Sequence, residues 1–165
     1  MGRRVGVLML ASAAVWMGAS AFGADQALAA APKAHHSEFR FSGRVDCGSF
    51  SDRFADRYWI RGRTFFDGKG RALRTIDHVR HTSTDRNSRT GLTLHQHDRY
   101  NIKTDLRTGT LRLSGGLFRI NRPGKGMVIH DVGRVVMDAN QNITFTAGRH
   151  DVLGKSSDVF CSALK

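Results

Sequence analysis

Between Phe39 and Ala147 apolar and polar side chains alternate along the chain, and this period of two constrains the fold more than any other feature of the sequence. Successive side chains of a strand point to opposite faces, so alternation marks strands that bury one face. Phe39, Phe41, Val45 and Cys47 share one parity, with Glu38, Arg40 and Arg44 on the other. Tyr58, Ile60 and Phe66 form the next apolar face, and Leu73 to His81 reads as a strand after the Asp67-Gly68-Lys69-Gly70 turn. Leu92, Leu94, Tyr100, Ile102 and Leu106 line one face of a long strand; Thr93, His95, His97, Arg99, Asn101 and Lys103 line the other. Past the Arg107-Thr108-Gly109 hairpin the apolar parity changes, from Leu111 and Leu113 to Phe118 and Ile120, and the change falls at Gly115-Gly116. A bulge or barrel corner there would turn the pleat over and keep both pairs inside. Met127–Met137 and Asn142–Ala147 read as further strands, and the stretch ending Val159-Phe160-Cys161 as a last strand or a short terminal helix.

The pattern predicts an all-β domain of seven or eight antiparallel strands with short connections, hence an up-and-down meander. The chain has two cysteines, Cys47 near the end of the first strand and Cys161 in the last segment. An even pair reads as a bridge in an oxidising compartment. A bridge holds Cα atoms within about 7 Å. A meander whose first and last strands touch closes into a small barrel, and a two-sheet β-sandwich is the alternative.

The first thirty residues carry a different signal. Met1-Gly2-Arg3-Arg4, an apolar run to about Gly23 and the small residues Ala27 and Ala29 have the order of a cleavable secretory signal. Residues 1–29 are therefore expected to be removed by cleavage after Ala29 (or after Ala31), which makes the protein secreted. Residues 30–37 are expected as a flexible tail and 38–165 as the domain. Loss of Arg3, Arg4 and Asp25 lowers the net charge from +12 to +11. A domain this basic should attract polyanions: a cell-wall polymer, anionic lipid or nucleic acid. Its cations are scattered along the strands and not gathered in one run, which is also how a merely solvated surface looks.

Several segments together resemble a group of small secreted actinobacterial proteins. They are Phe41 to Cys47, Phe65-Phe66-Asp67-x-x-Gly70, Gly124-x-Gly126-x-Val128-x-His130-Asp131-x-Gly133-Arg134, Ala147-Gly148-Arg149-His150-Asp151 and Phe160-Cys161-Ser162-Ala163-Leu164. The resemblance covers most of the mature chain and brings no chemistry with it. The architecture also looks like the lipocalin and allene oxide cyclase type of barrel, in layout only. The Gly-x-Trp signature of lipocalins is absent, since Arg57 and Tyr58 precede Trp59.

Polar residues on core-facing parity are the candidates for chemistry. Gln96 and Asp98 share the face of Leu94 and Tyr100; Thr75, Asp77 and His81 share that of Leu73 and Val79; Asp131 shares that of Ile129, Val135 and Met137. A buried carboxylate is costly unless paired or hydrogen-bonded. Asp77, Gln96, Asp98, Tyr100 and Asp131 are therefore expected either to line a cavity for a small, partly apolar ligand or to form a structural network. Interior aspartates could also serve an isomerase, cyclase or lyase, with at least one raised pKa.

Metal and cofactor chemistry find little support. His95 and His97 lie on one strand face, but Arg99 and Lys103 share it and no third ligand is identifiable, so no metal or cofactor is expected. His78 and His81 differ in parity and face opposite ways. The sequence holds no Gly-x-Ser-x-Gly elbow, phosphate-binding loop or Glu pair. Trp59, flanked by Arg57, Arg61 and Arg63, could stack on a sugar or base, or cover a barrel rim. A secreted ribonuclease agrees with the charge, but its acid–base pair is not visible in the sequence.

Overall fold

The computed structural model describes residues 30–153 and 158–165, so residues 1–29, expected as a cleavable signal, lie outside the described residues. Seven antiparallel strands follow one another: β1 (Lys33–Asp46), β2 (Ser51–Phe66), β3 (Ala72–Asn87), β4 (Thr93–Asp105), β5 (Thr110–Arg122), β6 (Gly126–Met137) and β7 (Ile143–Arg149). A short helix, α1 (Asp158–Ala163), ends the chain. The strands form one sheet in sequence order, each paired with its chain neighbours. This is the meander that short turns enforce.

Alternation is realised in the register. On β3, Val79, His81, Ser83, Asp85 and Asn87 are buried while Arg80, Thr84 and Arg86 are exposed. On β4, Leu94, Gln96 and Asp98 are buried while His95, His97 and Arg99 are exposed. We call these the inner and the outer face. The parity change in β5 is a bulge, because the β5–β6 register shifts between Gly116 and Phe118. Gly115 has φ +124° and a Cβ there would stand 2.7 Å from the carbonyl oxygen of Arg99, so a residue without a Cβ is needed.

The apolar core sits at one end of the sheet. Phe50 in the β1–β2 turn, Leu94 at the start of β4, Ile120 near the end of β5 and Ile129 near the start of β6 pack with Cys161 and Leu164 of the C-terminal segment. A six-residue helix does not hold itself together in water; α1 is fixed from outside. Cys161 is disulfide-bonded to Cys47, with Cα atoms 5.5 Å apart. The Asn87 amide donates to the carbonyl of Leu164 at 3.0 Å, and Arg122 reaches that of Ala163 at 3.5 Å. At the opposite end each turn is closed by its own aspartate. Asp67 accepts from the amides of Lys69 and Arg71, Asp105 from those of Arg107 and Thr108, and Asp138 from those of Asn140 and Asn142.

Barrel closure is not seen, and two further expectations need correction. The strand order runs from β1 to β7 without a pairing between them among the described residues, so the sheet is open at both edges. All strands belong to one sheet, which leaves no second layer for a sandwich. Residues 33–37, read as part of a tail, begin β1. Their anchor is a hydrogen bond of 2.6 Å from His35 Nε2 to Asp77, which crosses β2 above Gly62, where a side chain would collide with both groups. The last segment is the helix of the two forms expected. Because β1 is an edge strand, Phe39 and Phe41 keep the inner parity read from sequence yet remain 39 % and 46 % exposed.

Candidate functional site

Two places concentrate polar side chains. The first is on the inner face. His81 donates from Nδ1 to Asp98 at 2.9 Å and from Nε2 to Asp56 at 3.3 Å. Asp98 also accepts from the Gln96 amide and, at 2.8 Å, from the backbone N–H of Arg119. Tyr58 stacks on the His81 ring with centroids 4.0 Å apart, and Phe39 stacks on Tyr58 at 4.9 Å. The register explains this, since Phe39, Tyr58, His81 and Asp98 stand opposite one another across β1–β4.

The candidate residues thus divide. Gln96, Asp98 and Tyr100 share one face of β4, and the partners that the sequence reading did not assign to them are His81 and Asp56. Asp77 lies farther along β3 and bonds His35 and, at 3.1 Å, Thr75. Asp131 does not join them. It accepts from the backbone amides of Asp151, of Val152 at 3.0 Å and of Leu153 at 2.9 Å, and so anchors the chain after β7. A buried carboxylate with three amide donors is a satisfied structural group.

Protons are held tightly on the inner face. Burial alone would lower the His81 pKa, but the bonds to Asp56 and Asp98, with their charges, carry it to about 9. Burial lifts the Asp52 carboxyl to about 6, against the amide of Arg86. Burial and the charges of Asp52 and Asp56 lift Asp85 to about 7. Tyr58 and Tyr100 are raised by burial as well.

All three of the large shifts on titrating groups near neutrality have the same sign. A His81 pKa above its ordinary 6.5 stabilises the fold fully below that pH, and the contribution is lost as pH rises through about 9. Asp52 and Asp85 bind protons more tightly folded than unfolded, so ionising them between about pH 4 and 7 also lowers stability. Glu38, Asp67, Asp105 and Asp138 have lowered pKa values, act below about pH 4, and are screened by solvent. The melting temperature is therefore expected to peak near pH 5 and to fall by roughly 10 °C toward pH 9. Asp85→Asn should flatten the part of this fall below pH 8. A melting temperature that rises between pH 5 and 9 would contradict the arrangement.

The second place is the outer face of β1–β4. Arg53, Arg57, Arg61 and Arg63 on β2, Arg74, Arg80 and Arg86 on β3, and Arg99 and Lys103 on β4 all have outer parity. The inner face carries Asp52, Asp56, Asp77, Asp85 and Asp98. Charge is sorted through the thickness of the sheet, which a reading along the chain shows only as scatter. Glu38, outward on β1, is occupied by Arg57 at 2.7 Å and Arg40 at 3.3 Å. Arg80 stands directly opposite Arg99, and Arg53 opposite Arg86. None of these four has a carboxylate partner among the described residues.

This face is grooved. One open cavity of about 580 Å³ is lined by His36, Trp59, Arg61, His78, Arg80, Arg99 and Asn101, among others. A second, of about 700 Å³, shares His36, Arg61 and His78 and runs on to Arg63, Phe65 and Ile76. The Arg57 guanidinium lies 4.3 Å from the Trp59 ring centroid and that of Arg80 5.5 Å. The sequence suggested Arg57 as a neighbour of Trp59 but not Arg80, which arrives through the β2–β3 register. His95 and His97 are exposed on this face, and no cluster able to hold a metal ion occurs among the described residues.

Comparison with protein-family models, with curated proteins and with solved structures found no match to this chain. The functional reading therefore rests on the geometry.

Proposed function

We propose that this protein is an exported binding protein that lays a linear anionic polymer across the outer face of β1–β4. The observation that carries the reading is Arg80 opposite Arg99 with no carboxylate in reach. Like charges directly opposite on a sheet destabilise it, and an anion between them reverses the sign of that interaction. The groove around Trp59 gives such an anion a place to sit, and the next row of the sheet adds Arg61. The disulfide is compatible with an extracellular setting, where cell-wall polymers and released nucleic acid are candidate partners.

A salt series tests this. Binding of a labelled single-stranded oligonucleotide, or of heparin, by the disulfide-bonded protein should weaken about 50-fold between 50 and 200 mM salt if four phosphates are neutralised. Arg80→Ala with Arg99→Ala should reduce the log–log slope by about 1.4. Binding that ignores salt, or a double variant that binds like the parent, would overturn the proposal. Selective binding to anionic vesicles would do so too, by replacing the polymer with a lipid surface.

A second reading has its own observation. Phe39 and Phe41 form an open aromatic ledge that stacks on Tyr58, which in turn stacks on His81, on the inner face. Closure of β1 onto β7 would turn this face into the interior of a barrel that holds a small, partly apolar ligand. Acid–base catalysis by Asp98 has less support, because both of its oxygens are already engaged.

A further inference from the structure

The outer row one step from Trp59 flanks Arg61 with two histidines that the reading of a polyanion-binding face does not use. His36 on β1 stands opposite Arg61 on β2, and Arg61 stands opposite His78 on β3. With strands about 4.8 Å apart, the two histidine Cα atoms lie about 10 Å from each other. The imidazoles can thus flank one phosphate held over the Arg61 guanidinium. All three side chains line both cavities of this face.

His78 is oriented. Its Nδ1 donates to the side-chain oxygen of Asn101 at 2.5 Å. An amide oxygen only accepts, so the ring proton resides on Nδ1 and Nε2 is left as the proton-accepting atom. Arg61, Arg80 and Arg99 supply positive charge that no carboxylate among the described residues neutralises.

Resting on the reading that this face takes a polyanion, we propose that the groove cleaves single-stranded RNA by metal-independent transesterification, with His78 as base, His36 as acid and Arg61 on the phosphate. His78 Nε2 accepts the proton of a ribose 2′-OH as O2′ bonds to the adjacent phosphorus. The P–O5′ bond breaks, and the His36 imidazolium gives its proton to the departing O5′. The products are a 2′,3′-cyclic phosphate and a free 5′-hydroxyl, with no electrons gained or lost. The two histidines exchange protonation states and are reset through water. Arg61 faces the two non-bridging oxygens, where negative charge accumulates in the transition state. Imidazole is suited to both roles because it exchanges protons near neutral pH. DNA lacks the 2′-OH, so it should bind and remain intact.

The test uses the full disulfide-bonded chain with EDTA, a 20-nucleotide single-stranded RNA and the DNA of the same sequence. The expected result is RNA fragments ending in 2′,3′-cyclic phosphate, with DNA bound but uncut. His78→Ala and His36→Ala should each slow cleavage about 100-fold or more with the melting temperature unchanged. Asn101→Ala should slow it less, through loss of the His78 orientation. Intact RNA from a protein that binds both strands would overturn the nuclease and leave the binding face standing. Failure to bind either strand would remove both. Cleavage that survives in the His36→Ala/His78→Ala double variant would also sink the assignment.

Discussion

Replacing Cys161 with Ser, or reducing its bond to Cys47, is expected to lower stability by about 4–5 kcal/mol on the chain-entropy estimate for a loop of this size. The bridge spans 114 residues and joins the β1–β2 turn to a helix of one and a half turns. Its loss frees more than the unfolded chain. Leu164 is fully buried against Leu94, Ile120 and Ile129, where Val159, Phe160 and Ala163 of α1 pack beside it, and the bridge is the one covalent tie that holds this segment on the sheet. A domain of this size has only about 5–15 kcal/mol to lose. The melting temperature, followed by far-ultraviolet circular dichroism with and without reductant, should fall by roughly 15 °C. A shift below about 3 °C would mean that the terminal segment is not held as described.

Asp98→Ala should have the next largest effect, about 3–5 kcal/mol, because it leaves the His81 imidazolium short of a counter-charge in a buried site. It also strands the Gln96 amide and the Arg119 N–H. Asp98→Asn keeps the shape and loses the charge, so it should cost less, about 1.5–3 kcal/mol. Removing His81 as well, by His81→Phe beside Asp98→Ala, should recover part of the loss, since an apolar replacement of a whole buried pair is often near neutral. Urea denaturation of the parent, Asp98→Ala, His81→Phe and the double variant gives the coupling directly. Additive losses would show that Asp98 and His81 do not depend on each other.

The parts of this molecule legible in the sequence are those written in parity. The inner positions of β2–β6, the bulge at Gly115-Gly116 and the opposed directions of His78 and His81 follow from a period of two and one pair of glycines. The bridge followed from a cysteine count of two. What parity cannot show is register. Asp98 was found as an inward acid, but its partners Asp56 and His81 come from two other strands. Asp131 was inward for the same reason, yet its oxygens meet backbone amides twenty residues on, and amides leave no mark in composition. The row of His36, Arg61 and His78 is likewise invisible until three strands are aligned. The bridge does not decide closure, because a bridge near one end of a sheet brings a turn and a helix together without requiring its edge strands to meet.

The three turns at the end away from the core have a further consequence. Asp67, Asp105 and Asp138 each spend their hydrogen bonds within their own loop and touch neither the apolar cluster nor the groove. The Asp67 tip is therefore a self-contained module, whereas the Asp105 and Asp138 tips meet where Gly109 lies against Ala139. An added peptide or an affinity tag spliced in just beyond Asp67, where the space around Gly70 is open, would meet no neighbour it could disturb, so this corner is where the scaffold tolerates grafting.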